Sequence, residues 1–258
     1  MSKSILLTFL LSLLIGCSAE IGTLEFRANG EDFVRQGFIA KDGWAVQFDN
    51  VIVELSNVTA LQTDPPFDPK SGAEPEGTAV VLGKALVVDL AEGDADAEPI
   101  VIGSIDADVG QYNAIRWDMR NESVRLVGSA EKDGNTVDFD LRFDQPLSYA
   151  CGEYVGDGRK GFVNADSTGN IEMTFHFDHM FGDIEVAADE ALNTGALGFA
   201  PLAAIATDGV LDMGQAELAA ALDDADFTTL LDTLTTLGHV GEGHCFESTG
   251  GFTERSAE

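Results

Sequence analysis

Basic residues are scarce in this chain of 258 residues: 14 Lys and Arg stand against 45 Asp and Glu, a formal net charge of −31. That scarcity excludes nucleic acid as a partner, because phosphates are held by clustered Lys and Arg. It equally excludes direct binding to anionic lipid headgroups. Catalytic signatures are missing as well: there is no Gly-x-Ser-x-Gly, no phosphate-binding glycine loop and no dinucleotide fingerprint. Carboxylates are so abundant that no pair stands out as acid and base, and the expectation is a protein that is not an enzyme. The acid excess is spread along the whole chain, which reads as a solvated surface. The run Glu92-Gly93-Asp94-Ala95-Asp96-Ala97-Glu98 lacks the ligand order of a calcium loop and reads as a solvated turn.

Histidine is the other scarce residue, with four in the chain, all in its last third and in two close pairs. His176 and His179 lie in Thr174-Phe175-His176-Phe177-Asp178-His179, and His239 and His244 in Gly238-His239-Val240-Gly241-Glu242-Gly243-His244-Cys245. Imidazole is the commonest protein ligand for zinc and copper, and two pairs on separate segments can converge on one ion. Four imidazoles would fill a zinc shell. Three with a water, or three with Glu242 or Asp183, would leave an open or exchangeable position. Asp178 is placed to orient an imidazole through its other nitrogen. Residues three apart on a strand face opposite sides, so His176 and His179 share an ion only if the strand breaks near Asp178. Gly241 and Gly243 predict a flexible loop for the second pair. The competing reading is four polar loop residues with satisfied hydrogen bonds.

The N-terminus carries Lys3, then the short apolar stretch Ile5–Ile15, then Gly16-Cys17. The stretch is too short to span a bilayer, which takes roughly 20 apolar residues. Leu14-Ile15-Gly16-Cys17 resembles the lipobox of bacterial lipoproteins. The resemblance implies a signal peptide over 1–16, cleavage before Cys17, acylation of Cys17 and tethering to a membrane through the lipid. With Ser18 after the cysteine it implies an exported protein at the outer membrane, facing the periplasm or the cell surface. Export means an oxidising compartment, where the two remaining thiols, Cys151 and Cys245, are expected to pair. The alternative for Cys245, next to His244, is a metal-ligand role.

Residues 17–258 are long enough for one large β domain. From Gly22 to Arg142 short apolar runs rich in β-branched residues alternate with Gly and Asp, and no helical periodicity is visible there. Trp44–Phe48 and Val51–Leu55 read as strands separated by Asp49-Asn50. Asp133-Gly134 reads as a hairpin turn joining Val124–Ala130 to Val137–Phe143. Trp44 and Trp117, in alternating runs, are assigned to the core. The segment 62–77 holds four of the seven prolines and reads as a rigid surface loop, with display of Phe67 to a partner as the alternative. Asn170–Phe177 reads as a strand, and helices are expected at Pro201–Ala206, Gln215–Leu222 and after a cap at Asp224 or Asp226, stopping at Gly238. The prediction is therefore a mainly β, antiparallel β-sandwich, prealbumin- or Ig-like, with a small helical insert over about 184–238. Gly110-Gln111-Tyr112 followed by Ile115-Arg116 is similar to a pattern in uncharacterised bacterial lipoproteins with a prealbumin-like sandwich. That likeness implies the fold and no activity.

These observations predict a membrane-tethered, non-enzymatic protein that handles zinc or copper outside the cytoplasm. The alternative is a glycan- or protein-binding adhesion module with incidental histidines. A metalloenzyme with three imidazoles and a water ranks behind both. No protein partner is readable from the sequence.

Overall fold

A computed structural model describes residues 20–248 of the chain. Cys17 and the signal peptide expected from the sequence lie outside the described residues. The chain is mainly β, with several antiparallel sheets, consistent with a β-sandwich. One sheet has five strands in the order Gly243–His244, Gly238–Val240, Thr168–Phe175, Ile21–Asn29 and Ile100–Asp108. The other has nine, built around the long antiparallel pair Ala45–Gln62 and Ala114–Lys132. Asn135–Phe143 and Val210–Gly214 extend it on one side, and Leu147–Cys151 and Phe246–Ser248 extend it along the other end of Ala114–Lys132.

Alternation decides which side of each strand is buried. In Ile21–Asn29 the residues Leu24, Phe26 and Ala28 are fully buried, with half-exposed residues between them. The two sheets meet through aromatic rings. Trp117, from the nine-stranded sheet, lies 5.8 Å centroid to centroid from Phe175 of the other sheet and 5.2 Å from Tyr149. Phe48 lies 6.5 Å from Phe177 and 6.2 Å from Phe181. Each such fully buried side chain contributes about 1.5–3 kcal/mol of hydrophobic stabilisation. Trp117 is core as the sequence predicts. Trp44 is half-buried, 5.4 Å from Phe199.

Several expectations need correction. The two runs around Asp49-Asn50 form one strand, because a register shift between Phe48 and Asn50 absorbs the polar pair. Likewise the run Val124–Ala130 belongs to a single longer strand from Ala114 to Lys132, inside which Asn121 adopts φ 58°. The pairing is not antiparallel throughout: Ile21–Asn29 runs parallel to Thr168–Phe175, and Val210–Gly214 parallel to Asn135–Phe143. Both are pairs of strands distant in sequence, where no hairpin dictates direction. A short helix, Glu31–Gln36, stands where no helical periodicity is visible, since six residues are too few to show one.

The region between Phe175 and Gly238 departs from the five-stranded sheet and returns to it. It contains helices Asp178–Phe181, Ala191–Gly195, Ala200–Ile205, Gln215–Ala221 and Asp224–Thr235, together with the strand Val210–Gly214 at the edge of the nine-stranded sheet. The insert is therefore helical with one strand rather than helical alone. Asp223, not Asp224 or Asp226, caps the last helix by accepting the backbone N–H of Asp226 at 2.8 Å. That helix ends at Thr235, and Gly238 opens the returning strand. Buried Tyr149 donates its hydroxyl proton to the Leu234 carbonyl at 2.6 Å, fixing the end of the helix to the core.

The disulfide forms between Cys151 and Cys245, 94 residues apart in sequence. It ties the C-terminal strands to Leu147–Cys151. Replacing both cysteines by serine should cost about 4 kcal/mol of unfolding free energy in the chain-entropy account. Urea unfolding of the two proteins at pH 7 measures this, and a difference under 1 kcal/mol would show that strand pairing alone holds this end of the chain.

Candidate metal centre

The four histidines come together. Ring centroids lie 4.1 Å apart for His176 and His239, 5.1 Å for His179 and His239, 5.5 Å for His176 and His179, and 4.7 Å for His239 and His244. Strand pairing produces this convergence. Thr174 stands opposite His239, and His239 opposite His244, so the second pair sits on a two-stranded hairpin that continues the sheet beside the first.

The strand carrying the first pair ends at Phe175, not Phe177, and His176 follows it in a turn. The chain then enters the short helix Asp178–Phe181, with the N–H of His179 donated to the His176 carbonyl at 3.2 Å. This turn brings His176 and His179 to one side, as a break near Asp178 should. Gly182 closes the helix at φ 68°, where a β-carbon would stand 2.5 Å from Asn193 Oδ1. Buried Asn193 in turn donates to the carbonyls of Asp183 and Val186 and accepts the N–H of Asp183. It thereby docks the Ala191–Gly195 helix against the site.

The second pair is not on a flexible loop. Gly238–Val240 and Gly243–His244 form a hairpin with Gly241-Glu242 as its two-residue turn. Gly241, at φ 58°, leaves no room for a side chain, because a β-carbon would stand 2.0 Å from the Val155 carbonyl oxygen. Its N–H donates to Thr174 Oγ1 at 2.9 Å, and its carbonyl faces His176 Nε2 at 3.2 Å.

The hydrogen bonds assign the imidazole tautomers. Carbonyl oxygens only accept, so His176 Nε2 carries its hydrogen toward Gly241 O, and His239 Nε2 carries its hydrogen toward Thr236 O at 3.1 Å. Thr236 Oγ1 donates to Thr233 O at 3.0 Å and therefore accepts from His179 Nδ1, also at 3.0 Å. Each of these three rings is held by one nitrogen, which leaves the other, His176 Nδ1, His179 Nε2 and His239 Nδ1, as a lone pair. That is the outer-sphere arrangement that presents imidazoles to a metal. Two of the acceptors here are orphans: His239 Nδ1 and Asp178 Oδ1 are buried with no hydrogen-bond partner among the described residues. His176 Nδ1 and Asp178 Oδ1 face one another at 3.9 Å, beyond hydrogen-bond distance.

His176, Asp178 and His179 could hold a metal ion: one ligand atom from each lies within 4.8 Å of the others. A tetrahedral ion with bonds of about 2.0 Å separates its ligands by about 3.3 Å, so small side-chain rotations would close this set. Asp178, which the sequence places behind the imidazoles, is thus a candidate ligand. His239 stacks on His176 with 27° between the ring planes and borders this trio, and exposed His244 lies beyond it. Glu242 lines the same cavity. Asp183 does not line it: its carboxylate accepts the backbone N–H of Glu185 at 2.7 Å. Cys245 is in the disulfide and is no ligand. Comparison with protein families, with curated proteins and with solved structures gives no match to this chain.

One residue of the site is invisible in the sequence. Glu31 lies 3.4 Å from His176 Nε2, held at φ 63°, a left-handed conformation that costs a residue with a side chain about 1–2 kcal/mol. Burial first, then the charges of Asp178, Glu242, Asp32 and Glu172, push its carboxyl up to about 7. Asn29-Gly30 is the one local signal, since Asn29 Oδ1 accepts the Glu31 N–H at 2.9 Å. Glu172 is fully buried, in an ion pair with Lys160. Carboxylates thus flank His176, Glu31 beside its Nε2 and Asp178 beside its Nδ1.

Burial pushes the His239 imidazole down from 6.5 to about 3, helped by His176, His179 and His244. Burial likewise lowers His179, against the opposing charge of Asp178. Between pH 6.5 and about 3 the unfolded chain binds a proton at His239 that the native chain does not, so stability falls as pH falls. With chelator present, the slope attributable to this residue should approach 1.4 kcal/mol per pH unit near pH 5. Urea unfolding of wild type and His239→Gln at pH 7, 6 and 5 reads it. Parallel stability curves for the two proteins would contradict the assignment.

Proposed function

We propose that this protein is an exported, lipid-tethered lipoprotein on a prealbumin- or Ig-like sandwich, non-enzymatic, that captures or hands on zinc or copper outside the cytoplasm. One observation carries the reading: the buried acceptors His239 Nδ1 and Asp178 Oδ1 lack donors, at a place where three imidazoles each leave one nitrogen unprotonated. A buried acceptor without a partner costs about 1–3 kcal/mol; a cation held by His176, His179 and Asp178 satisfies Asp178 Oδ1 directly and lies beside His239 Nδ1. The donor set of imidazole and carboxylate, without thiolate, suits zinc or cupric ion. His176, His179 and Asp178 would hold the ion, with His239 beside them, and His244 and Glu242 at the mouth. A dication there acts as a Lewis acid toward whatever fills its remaining positions. The chain's own part is to hold each imidazole in one tautomer through Gly241, Thr236 and the Thr233–Thr236 pair.

The disulfide is consistent with an extracellular location. No helix among the described residues is long and apolar enough to cross a membrane, and the tethering rests on the lipobox-like segment alone. The adhesion alternative expects a row of exposed aromatic rings. Among the described residues Phe162 is the one aromatic side chain in the exposed large hydrophobic set, so nothing favours that reading.

Elemental analysis of protein purified without chelators tests the proposal, beside a His176→Ala/His239→Ala variant. Wild type should carry close to one equivalent of zinc or copper, and the variant should lose at least 90% of it. Equal metal content in the two folded proteins would end the reading.

A further inference from the structure

The cavity bordering the histidines is far larger than an ion requires. Its volume is about 550 Å³, within the range of pockets that take whole organic ligands. Its lining is uneven. The imidazoles and Asp178 line one part of it, Asp232, Thr233 and Thr236 of the last helix another, and Ala191, Leu192 and Gly195 of the short helix docked by Asn193 a third, which offers no side-chain donor. We propose that a metal ion at His176, His179 and Asp178 keeps one coordination position turned toward this cavity, and that a small neutral nitrogen donor with an apolar body, a heteroaromatic or an unprotonated amine, occupies both. The proposal rests on the metal reading above.

Geometry and charge select this class. The trio supplies three ligands, one short of a tetrahedral shell. His239, stacked on His176, lies outside that trio. Asp178, Asp232 and Glu242 line the cavity and outweigh a dication, so an anionic ligand meets net negative charge there, in a chain already at −31. A neutral nitrogen donor carries no such penalty. Its lone pair completes the shell, while its carbon skeleton meets Ala191 and Leu192, at about 25 cal/mol for each Å² removed from water.

Gly195 makes the idea testable. It is exposed to the cavity, its φ lies outside the left-handed region, and an added β-carbon would meet nothing within 4 Å. A large side chain there has room to stand and changes the cavity's lining without replacing an imidazole. The experiment loads the full-length protein with Co²⁺ and follows its visible d–d absorption while titrating imidazole, 4-phenylimidazole or azide. In wild type, 4-phenylimidazole should shift the bands at least tenfold below the concentration imidazole requires, and azide should need more than either. In Gly195→Phe the Co²⁺ bands should persist while the phenyl advantage disappears. Ala191→Phe, at an exposed position on the same wall, should behave alike and serves if the first variant misfolds. Equal affinities for the two imidazoles in wild type, an advantage that survives in a folded variant, or tighter azide binding would each overturn the proposal. Complete absence of protein-bound Co²⁺ bands would instead remove the metal reading beneath it.

Discussion

The site depends on one strand pairing. Gly238–Val240 lays itself antiparallel along Thr168–Phe175, with Thr174 opposite His239, and that register brings two histidine pairs some sixty residues apart into contact. A slip of one residue would turn His239 to the other face of the sheet. Three features pin the register. The Gly241 N–H bonds to Thr174 Oγ1, the His176 N–H bonds to the Leu237 carbonyl at 3.0 Å, and the disulfide at Cys245 secures the chain immediately after His244. Gly238 belongs to the same logic, because a β-carbon there would stand 2.4 Å from the Tyr149 ring. The returning strand can approach the core this closely only without a side chain at that point.

Electrostatics then gives the pocket its character. A chain with this acid excess could have left its surface carboxylates far from the imidazoles. Instead Glu31, Asp178 and Glu242 gather around them, close enough that burial and mutual repulsion raise Glu31, while burial lowers His239. Carboxylates crowded together and imidazoles presented as lone pairs have opposite protonation costs, and both are relieved by the same guest, a cation without a proton.

What the sequence discloses and conceals follows from how local each signal is. The hairpin at Asp133-Gly134 and the pairing of Cys151 with Cys245 are legible, since turn chemistry and compartment chemistry need no knowledge of the fold. The clustering of four histidines is legible for the same reason. Long bulged strands are not: Asp49-Asn50 looks like a break, and only the partner strand shows that a register shift absorbs it. Gly241 and Gly243 suggest flexibility by composition, yet in place they shape a tight hairpin turn. Asp183 is near the first histidine pair in sequence, but its carboxylate binds the N–H of Glu185 within its own turn. Glu31 enters the site from the far end of the chain, beyond the reach of any spacing rule.

The same geometry argues that an ion here would serve something other than folding. Structural zinc sites are closed, usually rich in thiolate, and stand in for a core that a small domain lacks. This chain buries Trp117, Tyr149, Phe175, Phe177, Phe181 and Phe199 completely in a core of its own, and carries a disulfide besides. The imidazoles sit at the margin of that core and line a cavity that Ala191, Leu192 and Gly195 of an inserted helix also line. The sheets fix the donors, while the insert, docked through Asn193 and the Gly182 turn, decides how much space stands before them. A scaffold that separates those two tasks can keep its donor set and change what it admits by altering the insert alone.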